Sequence, residues 1–181
     1  MDQGLLPRRY AKAIYKYAAE KNATADVYAY MLDIDRAFAS TPGLQAAMAN
    51  PFVSDDEKQR LAAAAAGIDA GKSPVLEDFI ALLIKNRRID ILHQTALAYA
   101  RLYRKENNIY SVIIESAAPL ADSDRERICA LVQRHLAGAT AEFSFNTDPS
   151  LIGGFVVNIE NERLDASVKN ELEQLRLNLI K

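Results

Sequence analysis

Several short stretches of this chain carry residue types that could do chemistry, and their spacing decides whether they do. Gly67-Ile68-Asp69-Ala70-Gly71-Lys72-Ser73 has the glycines, lysine and serine of a phosphate-binding loop. That loop needs four residues between its glycines, so that successive N–H groups wrap a phosphate, and it follows a strand. Here three residues intervene and an alanine-rich stretch precedes them, so the run reads as one helix stopping and another starting. Gly153-Gly154 lacks a nucleotide-site context because an apolar strand follows, and a glycine pair there predicts a bulge or a close backbone approach. His93 and His135 fall in different parts of the chain, with no cysteine or carboxylate at metal-ligand spacing. Cys129 sits among apolar neighbours, the setting of a small buried thiol, without the paired base or cationic surroundings of a nucleophile. Asp55-Asp56 occupy helix-cap positions open to water, which suits capping better than acid–base chemistry. The expectation is a chain with no catalytic residue, no cofactor and no metal.

Two basic clusters remain, Arg8-Arg9 and Lys85…Arg87-Arg88. The second falls in the last turn of a helix, where exposed carbonyls favour cations. A nucleic-acid surface would gather more cations on one face with aromatic or polar company. An RNA-binding helical bundle with an appended α/β module is nevertheless the alternative reading, because small helical RNA-binding domains share this outline.

The whole chain has 181 residues, a formal charge of −2, half of its residues hydrophobic and a quarter charged. That length suits one large or two small domains, and the balance is that of a folded protein. Up to residue 106 there are 15 Lys/Arg against 13 Asp/Glu; beyond it there are 7 against 11. Neither part is extreme enough to select a partner by charge. One cysteine cannot form an internal disulfide. Asp2 comes early with no apolar stretch behind it, which argues against a secretory signal. The longest run of large apolar residues, Phe79-Ile80-Ala81-Leu82-Leu83-Ile84, is far short of a membrane span.

Residues 5–106 read as six short helices. Leu6, Tyr10, Ala13, Ile14 and Tyr17 recur at three- and four-residue spacing, and Val27, Met31, Ile34 and Phe38 repeat the pattern over 25–39. Thr41-Pro42 offers a cap with proline at the first helical position. Ser54 and Glu57 stand at capping-box spacing. Ser73-Pro74 begins a helix with Leu76, Phe79, Ile80, Leu83 and Ile84 on one stripe, and 89–106 groups Ile89, Leu92, Ala96, Tyr99 and Tyr103. Past Asn107-Asn108 the period becomes two. Tyr110, Val112 and Ile114 form a strand pattern, Ser123 and Glu126 sit at capping-box spacing of a helix, and Ala141, Phe143 and Phe145 form a second strand. Residues 155–159 and 163–165 flank Glu160-Asn161-Glu162 as a hairpin, and Ser167 begins a last helix with Val168, Leu172, Leu175 and Leu179. The expected fold is mainly α, an N-terminal six-helix bundle (1–106) followed by a smaller βαββα domain (107–181).

Five stretches carry a resemblance. These are Arg9-Tyr10-Ala11-Lys12-Ala13, then Asn50-Pro51-Phe52-Val53-Ser54 with Glu57-Lys58, and Phe79…Leu82-Leu83-Ile84-Lys85-Asn86-Arg87-Arg88. Residues 148–157, with Gly153-Gly154, and Asp165…Leu172 complete the set. In this order, over nearly the whole chain, they resemble the delta subunit of bacterial ATP synthase, called OSCP in mitochondria. The resemblance implies a single-copy, non-catalytic connector in the peripheral stalk of a rotary ATP synthase. It would lie at the cytoplasmic face of the bacterial cell membrane, held there by the complex and not inserted itself. The resemblance places the amino-terminal helix of an alpha subunit in a groove between the first and fifth helices, and the end of the b-subunit stalk on the carboxyl-terminal domain. The groove residues so implied are Tyr10, Ala13, Ile14, Tyr17, Phe79, Ile80, Leu83 and Ile84. For each of these plain helix-packing core is the competing reading, since both uses give the same stripe. Ala13 is the foremost groove candidate, because close helix approach needs a short side chain. One departure stands out: Arg87 occupies a position where the family often has glycine.

Overall fold

The structure, a computed structural model, describes residues 4–68, 73–136, 138–160 and 162–179. Asp69, Ala70, Gly71 and Lys72 of the glycine-rich run therefore lie outside the described residues. The chain divides into two compact units, Met1–Tyr103 and Arg104–Lys181.

The first unit is helical. Its elements are α1 (Leu5–Glu20), α2 (Thr24–Ser40), α3 (Leu44–Ala49), α4 (Asp55–Ala65), α5 (Pro74–Lys85), a 3-10 turn (Ile89–Ile91) and α6 (Leu92–Glu106). The heptad-like stripes become its core: Ile14, Val27, Met31, Ile34, Leu76, Ile80, Leu83, Leu92 and Tyr99 are all essentially shielded from water. Tyr99 satisfies its buried hydroxyl by donating to the Thr24 carbonyl at 3.0 Å, which spares the cost of an unpaired polar group. Tyr103 stacks on Tyr28 at 4.3 Å between ring centroids.

Helix ends follow local chemistry. Ser54 forms a complete capping box with Glu57, as the spacing predicts. Thr41-Pro42 does not start α3. Thr41 instead closes α2, and its carbonyl accepts from Leu44 N–H at 3.0 Å, so the pair makes a turn and Gly43 precedes the helix. Helix α4 ends with Gly67 at φ 65°, where its N–H reaches Ala64 O and Ile68 N–H reaches Ala63 O. This double hydrogen bond is the Schellman closure. Helix α5 closes the same way through Arg87 N–H to Ile84 O and Arg88 N–H to Leu83 O, both 2.8 Å. Arg87 takes φ 53° there, so the turn forms without the glycine that normally relieves it.

The second unit joins a sheet to two helices. In order these are β1 (Ile109–Ser116), α7 (Asp122–His135), β2 (Thr140–Thr147), a 3-10 turn (Pro149–Leu151), β3 (Gly154–Ile159), β4 (Glu162–Ser167) and α8 (Val168–Leu179). The sheet has four strands in the order β2-β1-β3-β4. The pattern is therefore βαβββα, one strand richer than the βαββα expected, because each arm of the 155–165 hairpin is a full strand. β1 and β2 are parallel, with Val112 beside Phe143 and Ile114 beside Phe145; α7 supplies the crossover such a pair needs. β3 runs antiparallel to β1 and to β4. Val112, Ile114 and Val157 pack with Ile128 and Val132 of α7. The Ser123–Glu126 capping box is not formed: α7 starts two residues earlier than that box requires, after Ala121, with no side-chain cap. Two aspartates at its first turn, Asp122 and Asp124, suit the positive end of the helix dipole instead.

Gly153-Gly154 is a close backbone approach. Gly154 takes φ 74°, and a Cβ there would collide with the Ala166 carbonyl oxygen. A Cβ on Gly153 would meet Val168 Cγ2 at 2.9 Å. The Gly153 carbonyl accepts from Val168 N–H at 3.0 Å, tying the turn to the start of α8. Ser167 caps that helix, its hydroxyl oxygen accepting from Asn170 N–H at 3.2 Å.

Candidate functional sites

Helices α1 and α5 lie against each other, and three side-chain contacts define the seam. Tyr10 sets its ring edge-on to Phe79, with centroids 6.5 Å apart. Asn86 Nδ2 donates to the Tyr10 hydroxyl oxygen at 3.3 Å. Seven residues further along α1, the Tyr17 hydroxyl donates to Asp78 Oδ2 at 2.8 Å. This hydrogen bond to a carboxylate, followed by partial burial and the charge of Asp78, pushes the Tyr17 hydroxyl pKa above its ordinary value. The two tyrosines, seven residues apart on α1, thus reach α5 and the residue that closes it.

Two apolar side chains on these helices are exposed. Ala13, midway between Tyr10 and Tyr17, is exposed. On α5, Leu82 lies four residues from both Asp78 and Asn86, on the same side of the helix, and is 43% exposed. An exposed alanine on α1 and an exposed leucine on α5, beside two half-buried tyrosines, give this pair of helices an accessible apolar surface. Of the residues implied by resemblance, Tyr10, Ala13 and Tyr17 are accessible on this seam. Ile14, Phe79, Ile80 and Leu83 are buried in the core beneath it. Ile84 is half-buried, but it stands well over a third of a turn from the Asp78–Leu82–Asn86 line. It lines a different cleft, with Met48 and Ile89. Leu82, Asp78 and Asn86 were absent from the sequence-based set. Their signal was a four-residue repetition on the polar side of a helix, which resembles an ordinary solvated face.

The second unit offers another surface. Leu172 and Leu175 on α8 are 51% and 57% exposed, and Val168 in the same stripe is partly exposed. Leu164 on the edge strand β4 and Ile152 beside the glycine pair are exposed as well. Ile152 takes φ 67°, an uncommon conformation for a β-branched residue. An amphipathic helix whose apolar stripe is left in water marks a surface that gains from being covered.

The titratable candidates form no reaction centre. His93 does have a carboxylate neighbour that the sequence spacing did not disclose: its Nε2 lies 2.8 Å from Asp35 Oδ1, and its ring stacks on Phe38. His135 lies 3.4 Å from Glu162 on an exposed surface. Cys129 is half-buried rather than buried, and desolvation pushes its thiol pKa up. Among the described residues no group of three or more His, Cys, Asp and Glu side chains could hold a metal. No helix among them is long and apolar enough to cross a membrane.

Fold and surfaces together define a protein of two small units that present apolar faces for partners. A family model described as the ATP synthase delta (OSCP) subunit matches residues 6–179. The ATP synthase subunit delta of Parabacteroides distasonis is 36% identical over 99% of this chain and 98% of its own length. That of Acinetobacter baylyi is 32% identical over 97% of this chain and 96% of its own length. Among solved structures, a chain of the Toxoplasma gondii mitochondrial ATP synthase hexamer has the same fold, with a TM-score of 0.73 and 22% identity. The alignment covers 97% of this chain and 98% of that one. The chain belongs to the ATP synthase delta (OSCP) subunit family.

Proposed function

We propose that this chain is the non-catalytic connector of the peripheral stalk in a rotary ATP synthase, holding the catalytic head to the stalk so that it does not turn with the rotor. The observation that carries this reading is the family match, which runs from residue 6 to residue 179 and so includes both units. As a delta (OSCP) subunit the chain is a structural subunit and not a catalytic one. The RNA-binding alternative has no support beside it. The complex would keep the chain peripheral at the cytoplasmic face of a bacterial membrane.

Within that role, the α1–α5 seam is the place for the amino-terminal helix of an alpha subunit. Leu82 and Ala13 would receive apolar residues of the guest, while Tyr10 and Tyr17 grip its sides. A guest burying about four large apolar side chains gains about 6–12 kcal/mol, against an association cost of about 4–15 kcal/mol. One seam therefore gives anything from weak to firm binding. A second grip raises the effective concentration of the first, and the exposed stripe of α8 is the surface for the end of the b-subunit stalk. Torque is then resisted by two modest contacts held together by one chain.

Calorimetric titration of the full chain with an alpha amino-terminal peptide tests the seam. The wild-type chain binds. Ala13→Trp fills the gap between the tyrosines and weakens binding about tenfold or more while the fold persists, since Ala13 is exposed. Unchanged affinity in the folded variant would remove the seam as the alpha site.

A further inference from the structure

A second cleft in the helical unit is independent of the α1–α5 seam. It lies where residues 50–54 meet the carboxyl-terminal end of α5 and has a volume of about 760 Å³. Its floor is aliphatic, built from Met48, Val53, Ile84 and Ile89. Four cations line it: Lys58, Lys85, Arg87 and Arg88. Among the described residues none of these four is in an ion pair. Two carboxylates, Asp55 and Asp90, also line it, so the cleft keeps an uncompensated positive balance.

We propose that this cleft docks an acidic peptide segment bearing one apolar side chain. An aliphatic side chain would fill the floor, and carboxylates on either side of it would meet the four cations. Charge complementarity of this kind selects the partner and sets its register. Arg87 supports the assignment from a different direction. Its backbone sits in the left-handed region at a helix end where glycine is free of strain. An arginine at such a point brings its side chain to the cleft, and strained positions of this sort concentrate at binding sites. Phe52 stands 95% exposed on the same turn, which is fixed by Asn50 Oδ1 accepting from Phe52 N–H at 2.9 Å. Its ring offers added cover for the anchor. A nucleic acid fits less well, because the floor is aliphatic and none of the lining residues is aromatic, which leaves no face on which a base could stack.

The test uses the full chain and a fluorescein-labelled peptide in which one leucine stands between paired glutamates, followed by anisotropy at low salt. The peptide should bind, and Arg87→Gly with Arg88→Ser should weaken it about tenfold or more. That variant keeps the fold, since glycine relaxes the left-handed turn. Replacing the leucine by serine, or the glutamates by lysines, should have a comparable effect. Arg36→Ser, at an exposed arginine that does not line the cleft, should change nothing. Methyl shifts at Met48, Ile84 and Ile89 on titration would locate the peptide in the cleft. Absent binding, equal binding of the lysine peptide, or indifference to the double variant would each overturn the proposal. So would an oligouridylate that binds more tightly and loses affinity in the same variant. None of these outcomes bears on Ala13→Trp, so the cleft and the seam can fail separately.

Discussion

The two units spend their apolar residues differently. In the helical unit the amphipathic stripes turn inward: Met31, Ile34, Leu76, Leu83 and Tyr99 have almost no contact with water. In the sheet unit Val112, Ile114, Val156 and Val157 are buried, yet Leu131, Leu164, Leu172, Leu175 and Leu177 are each more than half exposed. The recognition surface proposed for the first unit is a seam between helices that are already packed. That proposed for the second is the outside of a helix whose Leu172 and Leu175 are left more than half exposed. The difference shows that helical periodicity reports only that a face will be covered. Whether the cover comes from the same chain or from another is settled elsewhere.

Substitutions can break or sharpen that contrast. Leu83→Ala empties a fully buried site and should cost about 2–5 kcal/mol in chemical denaturation of the helical unit; a loss well under 1 kcal/mol would mean that core is less closely packed than its burial implies. In the sheet unit Gly154→Ala should cost about 3 kcal/mol or more, since it combines a left-handed backbone with a collision at the Ala166 carbonyl. Amide exchange should show the loss in the sheet unit only. Replacing Leu172 and Leu175 together by serine should leave the unfolding midpoint of the isolated chain nearly unmoved while weakening capture of a b-stalk peptide about tenfold or more. If the midpoint falls by many degrees instead, α8 is core and the contrast fails.

Acid and alkali should separate the units most gently. Hydrogen bonds from the Ser150 side chain and N–H hold the Asp148 carboxyl below the usual carboxylate range, and the Ser167 hydroxyl and N–H do the same for Asp165. A depressed carboxylate stabilises the fold above its unfolded pKa, and that contribution drains away as pH falls below about 4. Both aspartates belong to the sheet unit, so exchange protection there should decline first on acidification. The shifted tyrosines of the helical unit, Tyr17 through its bond to Asp78 and Tyr99 through burial, are raised. A raised group stabilises below its unfolded pKa, so the α1–α5 contact at Tyr17 should persist until pH climbs beyond about 10. Ultraviolet titration of the tyrosinate band checks this, and a Tyr17 that ionises early would contradict it.

Legibility from sequence varied with the range of the interaction involved. The Ser54–Glu57 capping box and the change of period near residue 107 depend on neighbours a few residues apart, and both could be read directly. Thr41-Pro42 misled because a turn and a helix start use the same residues, and the choice depended on where α2 could stop. Ser123 and Glu126 had capping-box spacing, but α7 began two residues too early for it. The pairing of His93 with Asp35 spans 58 positions and has no local trace. In the seam, Ile14, Phe79 and Leu83 share a stripe with Tyr10 and Tyr17, and no pattern of three and four residues says which of them stay accessible.

Sequence alone determined most of the elements, their order and the family, because capping, periodicity and ordered short motifs act over short distances along the chain. Tertiary structure alone decided that β1 pairs with both β2 and β3, that Tyr10 and Tyr17 reach across to Asn86 and Asp78, and that the leucines of α8 remain in water. Those outcomes depend on contacts between residues tens of positions apart, and a linear pattern records which side chains are apolar without recording what comes to meet them.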